Sequence, residues 1–441
     1  MATKISNILF SILSLVCLFG CSAIDTPEVA IDENKNEYDI FVENLEISGI
    51  TISKDSLLKI GLPLIVINTK NNQDPTYEEA KTPEDCWGNG IKNAKKIPGR
   101  MYIADRGELV YDSQLDSIKI KVRGNTTAYE EKKPYKIKLS KAADLLFRNN
   151  DEVYKDKNWC LIKDEKLYAK IGFRLSELMG MKWTPQFRYV NLVLNGDFKG
   201  LYMLVESIDK NNKCRLKAES GGGILEYDAY WWNEDFYIKS PTFQYPLNYT
   251  FKYPDADELK EVDVEYFTEM IETFEASLNN GAWNDYIDVN SFVNWILCHD
   301  IMGSGDGGGT NMYILKENRS PESKIEMPCL WDFGKAFFMK DQWSESHGSG
   351  FFAFGPLFRE DSFKALYINK WVNNRVKVIE EICSFLDLYR ESVEFINLET
   401  SIKLNDIRWK VDYTSLSILI SNYKDWFKSR DIWISQNLNN L

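Results

Sequence analysis

Three polar residues in the second half of the chain have the types and spacing to act together on an oxygen-rich substrate. Asp306 lies in the glycine-rich stretch "IMGSGDGGGTNMYILKEN" (301–318), Asn311 follows five positions later, and Asp332 stands in "WDFGKAF". Carboxylate and carboxamide oxygens suit a hard divalent cation, and a further carboxylate can accept a proton from a hydroxyl. The alternative is that Asp306 has only a structural role, as a carboxylate in a glycine turn that caps the following segment.

The order of these residues matches a pattern used for phosphoryl transfer. In protein kinases an Asp that serves as base is followed five residues later by a metal-binding Asn, and a DFG Asp comes after the next strand. By this pattern Asp306 is the base, and Asn311 and Asp332 are metal ligands. Asp300 fails the same test, because Gly305 stands five positions after it. We interpret Asp300 as a solvated carboxylate at the end of a helix.

The elements that must position these residues begin with strands. "LPLIVINTK" (62–70) is an apolar run typical of a buried strand, and "KKPYKIKLSK" alternates so that Lys136 and Lys138 share one face. "KLYAKIGFRLSELMGM" has the period of a helix that ends at Gly180. "RYVNLVLNGDFKGLYMLVESID" predicts a hairpin that turns at Asn-Gly.

The rest of the chain is predicted to be irregular or β from Cys214 to Pro254 and mostly helical from Asp263 onward. After the glycine-rich stretch, "NMYILKEN" and "EMPCLWDFGKAFF" are predicted as two short strands. This order indicates an α+β fold with two lobes, a β-rich lobe with one helix over 46–210 and a second, mostly helical lobe over 211–441.

Taken together, these segments resemble the CotH kinase family, the atypical protein kinases related to spore coat protein H. The resemblance extends from about Leu62 to about Trp371. Its most specific parts are "RGNTT", "KKPYKIKL" and "NGDFKGLYMLVE", joined by "GDGGGTNMYIL" and "LWDFGKAF". One departure from ordinary kinases is that no G-x-G-x-x-G loop precedes the basic strand.

The resemblance implies a reduced, two-lobed kinase-like fold that binds ATP with Mg²⁺ or Mn²⁺ and phosphorylates Ser/Thr hydroxyls of a protein substrate. It assigns Asp306 as the catalytic base and Asn311 and Asp332 as metal ligands. It also implies that one lysine of the basic strand contacts the phosphates, the candidates being Lys132, Lys133, Lys136 and Lys138.

Lys136 and Lys138 are the first candidates because they share a face, and their alternative is a merely solvated strand. Arg123, in the R-G-N turn, is a further candidate for phosphate contact, since its planar fork pairs well with phosphate oxygens. Glu206 ends the strand "GLYMLVE", where a kinase has its hinge between lobes. It is therefore a candidate hinge or nucleotide contact, with a surface salt bridge as its alternative.

The N-terminus carries the pattern of an export signal. Lys4 precedes the apolar run "ILFSILSLVCLFG", which is too short to span a membrane as a mature helix. "LFGC" resembles a bacterial lipobox, which implies cleavage before Cys21 and lipidation of its thiol. We therefore predict a signal peptide over 1–20, a tether over 21–45, and a membrane-anchored lipoprotein of the cell envelope or cell surface.

Composition limits the possible partners. The net charge of −13 leaves no basic excess to neutralise phosphates, which argues against nucleic acid. Six cysteines remain after Cys17 and Cys21, and none has the C-x-x-C spacing of a zinc site. We interpret most of them as small buried hydrophobes.

Three hypotheses of function remain at the level of the sequence. The first is a lipid-anchored CotH-like kinase. The second is a non-catalytic surface binding or structural module that keeps the kinase-like fold, a reading favoured by the scarcity of ATP outside the cytoplasm. The third, a glycosidase using Asp306 and Asp332 as its carboxylate pair, explains neither Asn311 nor the basic strand.

Overall fold

The computed structural model describes residues 44–79, 86, 91–92, 94–114, 117–148, 152–242, 247–307, 311–344 and 352–441. Cys21, the predicted signal peptide and most of the predicted tether lie outside these residues. Within the described part of the chain, no helix is both long and apolar enough to cross a membrane.

Seven strands of the first half form a sheet that closes on itself. Going round the ring, the order is β3, β11, β12, β10, β9, β8 and β6, and β6 pairs again with β3. The strands are β3 (Leu64–Thr69), β6 (Ile97–Asp105), β8 (Ile118–Val122), β9 (Tyr135–Ala143), β10 (Asp156–Ile162), β11 (Phe187–Leu194) and β12 (Asp197–Glu206).

Five short strands and one helix accompany the ring. β7 (Glu108–Asp112) extends β6 at the edge, and β1 (Asn44–Ile47) pairs with β2 (Ile50–Ser53). β4 (Glu78–Glu79) pairs with β5 (Ile91–Lys92), and helix α1 (Lys54–Lys59) links β2 to β3.

The ring closes because alternate residues of its strands fill one interior. Ile120 and Val122 of β8, Ile137 of β9 and Trp159 of β10 are fully buried in one apolar cluster. The residues between them point outward, since successive side chains of a strand face opposite sides. β3 is buried on both faces, because β1, Leu57 of α1 and Leu404 from the C-terminal part of the chain cover its outer side. Alternate side chains of these strands therefore form an apolar interior, and the side chains between them form an outer face that can carry charge.

Helix α2 (Tyr168–Met179) lies between the closed sheet and the second half of the chain. It ends at Gly180, whose φ of 72° is favoured by glycine and rare for other residues. Asp164 precedes the helix and accepts hydrogen bonds from the Ala169 and Lys170 N–H groups. The predicted helix, its glycine stop and the hairpin of β11 and β12 are confirmed.

The second half contains a four-stranded sheet as well as helices. The sheet order is β14 (Tyr237–Ile238), β15 (Asn248–Tyr253), β13 (Gly223–Asp228) and β16 (Met312–Lys316). The helices are α3 (Glu261–Asn280), α4 (Val289–Met302), α5 (Phe354–Leu357), α6 (Asp361–Arg390), α7 (Val393–Trp409) and α8 (Leu416–Asn437).

The C-terminal helices brace the closed sheet. From α7, Arg408 donates to the Phe198 carbonyl oxygen at 2.9 Å and Trp409 to the Lys199 carbonyl oxygen at 3.0 Å. Asn405 of the same helix accepts from the Leu201 N–H at 3.2 Å. Residues on both sides of the predicted boundary at 210 are therefore bonded to one another.

The mixed α and β composition is confirmed, whereas the two-lobed kinase-like arrangement stays a prediction. The predicted strand "NMYILKEN" is confirmed as β16. The predicted strand in "EMPCLWDFGKAFF" is wrong, since only Glu326 bridges to Leu315. Pro328 lacks the N–H that a strand ladder needs, and Asp332 has a φ of 57°, outside the extended range.

Candidate functional site

The outer side of β8 and β9 carries a patch of four lysines, here called the lysine face. Lys121 lies opposite Lys136, and Lys119 opposite Lys138, in the antiparallel register. The predicted shared face of Lys136 and Lys138 is therefore confirmed. Lys138 is exposed, whereas Lys136 is half-buried with its ammonium 3.8 Å from the Asp209 carboxylate.

Sequence reasoning missed two lysines of this face, the exposed Lys119 and the half-buried Lys121. Burial lowers the pKa of Lys121, and the nearby charges of Lys136 and Lys96 lower it further. Lys96 and Lys252 of β15 thus join Lys121 and Lys136 at one end of the face. The carboxylates of Glu234 and Asp209 offset part of this positive charge. Such a cluster is a natural place for an anion. The alternation in "SIKIKVRG" could have placed Lys121 beside Lys136.

Lys252 belongs to a charged network on the second sheet. Burial alone would lower the pKa of Lys252, but the carboxylates of Glu226 and Asp228 outweigh it and raise that pKa. Glu226 also accepts a hydrogen bond from the Tyr313 hydroxyl at 3.1 Å. The charges of Lys252 and Lys121 influence each other, so the two sheets approach at this point. No sequence signal links these residues, because their proximity comes from packing between sheets.

Arg123 directly follows β8 and reaches toward the segment that carries Asp332. Its guanidinium carbon lies 5.4 Å from the centroid of the Trp331 ring, within the range of a cation–π contact. Its backbone N–H donates to the Pro134 carbonyl at 3.0 Å, which holds the R-G-N turn against the start of β9. Arg123 therefore links the strand that carries Lys121 to the residue just before Asp332.

The backbone joins the loop of Asp306 to the loop of Asp332. The N–H of Gly305 donates to the Lys335 carbonyl at 3.1 Å, and the N–H of Phe337 donates to the Met302 carbonyl at 2.7 Å. Gly303 accepts from both Phe338 and Met339, at 3.1 and 2.9 Å. These four backbone hydrogen bonds join the two loops, so the two carboxylates are carried on one unit.

Asp306 is half-buried and faces an aromatic residue of the second sheet region. Burial raises the pKa of the Tyr230 phenol, and the charges of Asp228 and Asp306 raise it further. Tyr129, from the turn after R-G-N, acts on Tyr230 in the same way. Asp306 thus lies among groups from the closed sheet, the second sheet and the end of α4.

Asn311 and Asp332 both have left-handed backbone conformations, with φ of 60° and 57°. Asp332 is exposed, and one of its oxygens accepts from the Gly334 N–H at 3.2 Å. Non-glycine residues with positive φ are uncommon and often lie at functional sites. Asn311 directly precedes β16, so its amide lies at the start of a fixed strand.

The structure does not bring Lys132 or Lys133 to the lysine face. Lys132 is buried, where it donates to Glu165, to the Leu201 carbonyl and, at 2.7 Å, to Asn405. Lys133 donates to two carbonyls of its own turn, those of Ala128 and Glu130. Lys132 therefore joins α7 to the closed sheet, and Lys133 closes a turn.

Glu206 is also away from the lysine face. The register pairs it with Trp159, whose side chain points into the ring, whereas Lys136 pairs with Cys160 on the outer side. Glu206 is fully buried and contacts Arg148 at 2.9 Å. The alternative of a surface salt bridge is wrong, because burial of this ion pair places it inside the fold.

Asp300 is not the solvated carboxylate that its position predicted. It is fully buried at the end of α4 and accepts from the Ser344 N–H at 2.9 Å and from the Tyr367 hydroxyl at 2.7 Å. A buried carboxylate needs such donors. Asp300 therefore fixes α4 to the segments that follow it, and the rejection of Asp300 as a base still rests on spacing.

Among the described cysteines beyond the N-terminal region, five are free thiols: Cys160, Cys214, Cys298, Cys329 and Cys383. Cys160, Cys298 and Cys329 are buried, as small hydrophobes are.

Asp332 and Asn311 supply two of the oxygen ligands that a divalent cation needs. In the portion of the chain that the structure describes, no group of three or more His, Cys, Asp and Glu residues is arranged to hold a metal ion. Asp332 and Asn311 offer one carboxylate and one carboxamide. Two protein ligands suit Mg²⁺, which keeps waters and takes further oxygens from phosphates.

Comparison with known proteins identifies the family of this chain. The family described as CotH kinase protein matches residues 120–434, which is well over half of the chain. The chain belongs to the CotH kinase family. The matched range includes Lys121, Lys136 and Lys138 of the lysine face, both loops and most of the C-terminal helices. The family implies ATP and a divalent metal in general.

Two other comparisons add less. The crystal structure of the Helicobacter pylori proinflammatory kinase CtkA is similar at 11% sequence identity, covering 69% of this chain and 94% of that chain, with a TM-score of 0.27. A likeness this low carries no argument. No curated protein matches the chain.

Proposed function

We propose that this protein transfers the γ-phosphoryl group of ATP to Ser/Thr hydroxyls of a protein substrate, with the help of Mg²⁺ or Mn²⁺. The observation that carries the proposal is the backbone pairing of the Asp306 and Asp332 loops, which the Arg123–Trp331 contact links to the strand that carries Lys121. Phosphoryl transfer is mostly positioning and charge stabilisation, and this arrangement supplies both.

In this proposal Asp306 accepts the proton of the acceptor hydroxyl. Asp332 and Asn311 hold the cation, which neutralises phosphate charge when it is bound. Lys121 and Lys136 contact phosphate oxygens from the lysine face, and Arg123 approaches from the Trp331 side. Lys138 lies on the same face but is more exposed, and we assign it a weaker contribution.

The primary test is a titration of the soluble protein with ATP by isothermal calorimetry, with and without Mg²⁺ or Mn²⁺. We expect binding that requires the metal. A protein that binds no nucleotide with either metal would contradict the proposal and favour the non-catalytic binding module.

A second test addresses transfer itself. The protein is incubated with γ-labelled ATP, metal and a mixture of envelope proteins, and labelled residues are identified by mass spectrometry. We expect phosphoserine or phosphothreonine in an acceptor. ATP binding without any labelled acceptor, in a mixture that contains the natural substrate, would leave only a nucleotide-binding module.

A further inference from the structure

A cavity of about 440 Å³ lies at the other end of α4 from Asp306. One wall is the start of α4 with the residues just before it, and the opposite wall is one side of α6. Since α4 has 14 residues, the cavity is about 20 Å from the proposed phosphoryl-transfer site. A molecule bound here would leave that site open.

The α6 wall is a stripe of carboxamides. Asn369, Asn373 and Asn374 all line the cavity, with Leu366 one turn before them. The Asn373 amide NH₂ donates to the Asn369 side-chain oxygen. This bond uses neither the NH₂ of Asn369, which is a donor, nor the oxygen of Asn373, which is an acceptor. A carboxamide stripe can therefore satisfy both kinds of backbone group.

The spacing of the stripe matches an extended peptide. Residues four apart on a helix rise about 6 Å, and alternate residues of an extended chain are about 6.5 to 7 Å apart. Asn369 and Asn373 can therefore meet successive outward-facing peptide groups of one strand. Leu366 and Val293 supply an apolar surface for a side chain between them.

The charge of the cavity favours an acidic ligand. Lys370 and Lys324 both line it, against one carboxylate, Asp288. Asp288 already accepts from the Ser291 N–H at 2.7 Å as the cap of α4. Lys370 is half-buried, and within the described residues its ammonium has no hydrogen-bond or ion-pair partner. Lys324 donates to the Asn284 carbonyl at 2.7 Å. In a protein of net charge −13, this is a local positive site.

We propose that this cavity is a docking site for an extended, acidic peptide segment of a partner protein. The carboxamide stripe binds the peptide backbone, and Lys370 and Lys324 pair with its carboxylates. The binding does not depend on phosphoryl transfer, so it can be tested separately from the proposed function.

The test selects ligands from a random library of peptides of about eight residues, long enough to run along the α6 wall. The selected peptides are synthesised with a fluorescent label and titrated by anisotropy against the full chain and two variants, Lys370→Gln and Asn373→Leu. We expect acidic peptides to be selected. Loss of a charge-assisted bond should weaken their binding about tenfold or more in Lys370→Gln.

The matched control is Lys364→Gln. Lys364 lies on the same helix, about 120° around its axis from Lys370, and does not line the cavity. It should bind the peptides as the wild type does. Thermal melting of each variant establishes that it is folded, and an ATP titration of the same samples reports separately on the proposed function.

Three results would overturn the proposal. The first is a library that yields no acidic peptides. The second is binding that Lys370→Gln and Asn373→Leu leave unchanged. The third is binding of acidic oligosaccharides, run in parallel as a second probe, with none of acidic peptides.

Discussion

At the scale of single residues, Asp306 owes its position to the glycines on either side of it. A Cβ on Gly303 would lie 2.7 Å from the Met339 carbonyl oxygen, and a Cβ on Gly307 would lie 2.5 Å from Nδ1 of His299. Side chains at these places would push the loop away from its neighbours. The glycines thus permit the loop to pack closely against its neighbours. This packing restricts the position of the Asp306 carboxylate.

Asp306→Asn keeps the size of the side chain and removes the proton acceptor. We expect ATP affinity to change little, because Asp306 is not assigned to the nucleotide. Phosphate transfer to an acceptor should fall by roughly 10²–10⁴-fold, the usual worth of a positioned base. Calorimetry and labelled-ATP transfer, run on the same preparation, check the two quantities. A variant that keeps full transfer would make Asp306 an ordinary turn residue.

Asp332→Asn should give the opposite pattern. It removes an anionic metal ligand, so metal-dependent ATP binding itself should weaken, by roughly 10- to 100-fold. The metal requirement is read from titrations over a range of Mg²⁺ concentrations. Equal and small effects of Asp306→Asn and Asp332→Asn on both binding and transfer would contradict the assigned roles.

Lys121 provides a test of the lysine face. Lys121→Gln removes a half-buried charge at the crowded end of the face, and ATP binding should weaken roughly 10- to 100-fold because a charge-assisted bond to phosphate is lost. Lys138→Gln, on the exposed end of the same face, is the matched control and should lose much less. If the two variants bind ATP as the wild type does, the face is only solvated.

Site residues could be predicted from the sequence where their positions followed the alternation of a strand. They could not be predicted where their proximity depended on packing between distant segments. Alternation along β9 identified the shared face of Lys136 and Lys138. The same rule did not separate Lys132, which the fold buries against α7, from the others, because Lys132 precedes the strand. Glu226 and Lys252 carry no local signal, since what matters is their approach to Lys121 across two sheets.

At the scale of elements, helix α2 supports the Asp332 loop through a residue without a side chain. A Cβ on Gly172 would lie 2.1 Å from the Phe333 ring, and Phe173 meets the same ring edge-on at 5.4 Å between centroids. Phe333 directly follows Asp332. The helix surface at Gly172 therefore sets how deeply the Asp332 loop can sit.

Gly172→Ala should displace Phe333 and with it Asp332. In a helix this substitution alone favours folding by about 1 kcal/mol, so a loss of function would have to come from the contact. We expect weaker metal-dependent ATP binding, by roughly tenfold, with little fall in melting temperature. Adding Phe333→Leu, which makes room for the new methyl group, should restore part of the binding.

If Phe333→Leu does not restore ATP binding, the effect of Gly172→Ala does not come from its contact with Phe333. Glu177→Ala, on the exposed part of the same helix, is the control for changes in the helix that do not touch Phe333. It should leave ATP binding unchanged.

Strands, turns and helix ends could be predicted where they depend on residues that are close in sequence. The buried run of β3, the Asn-Gly hairpin and the glycine stop of α2 each depend on a few neighbouring residues. The segment around Asp332 failed as a predicted strand because Pro328 and the positive φ of Asp332 override its apolar composition. The closure of the sheet could not be predicted, because it depends on β3 pairing with a strand far along the chain.

At the scale of the whole molecule, the predicted lipid at Cys21 bears on where the protein acts. We propose that Cys21 anchors the domain to a membrane outside the cytoplasm. Cys21→Ala should release the protein from the membrane fraction or leave its precursor uncleaved, as seen by fractionation and mass spectrometry. Cys17→Ala, four residues earlier, should behave as the wild type. A processed Cys21→Ala protein that still fractionates with membranes would contradict lipidation.

Closure of the ring has a consequence for how the chain folds. β3 finds one neighbour, β6, within a short stretch of sequence, but its other neighbour is β11, where Leu64 pairs with Asn191. Bringing such distant strands together costs loop entropy before any contact repays it, and parallel pairing of distant strands is slow. The ring therefore closes late. Until it does, β3 keeps one edge open to pairing with other chains, so aggregation competes with folding during that interval.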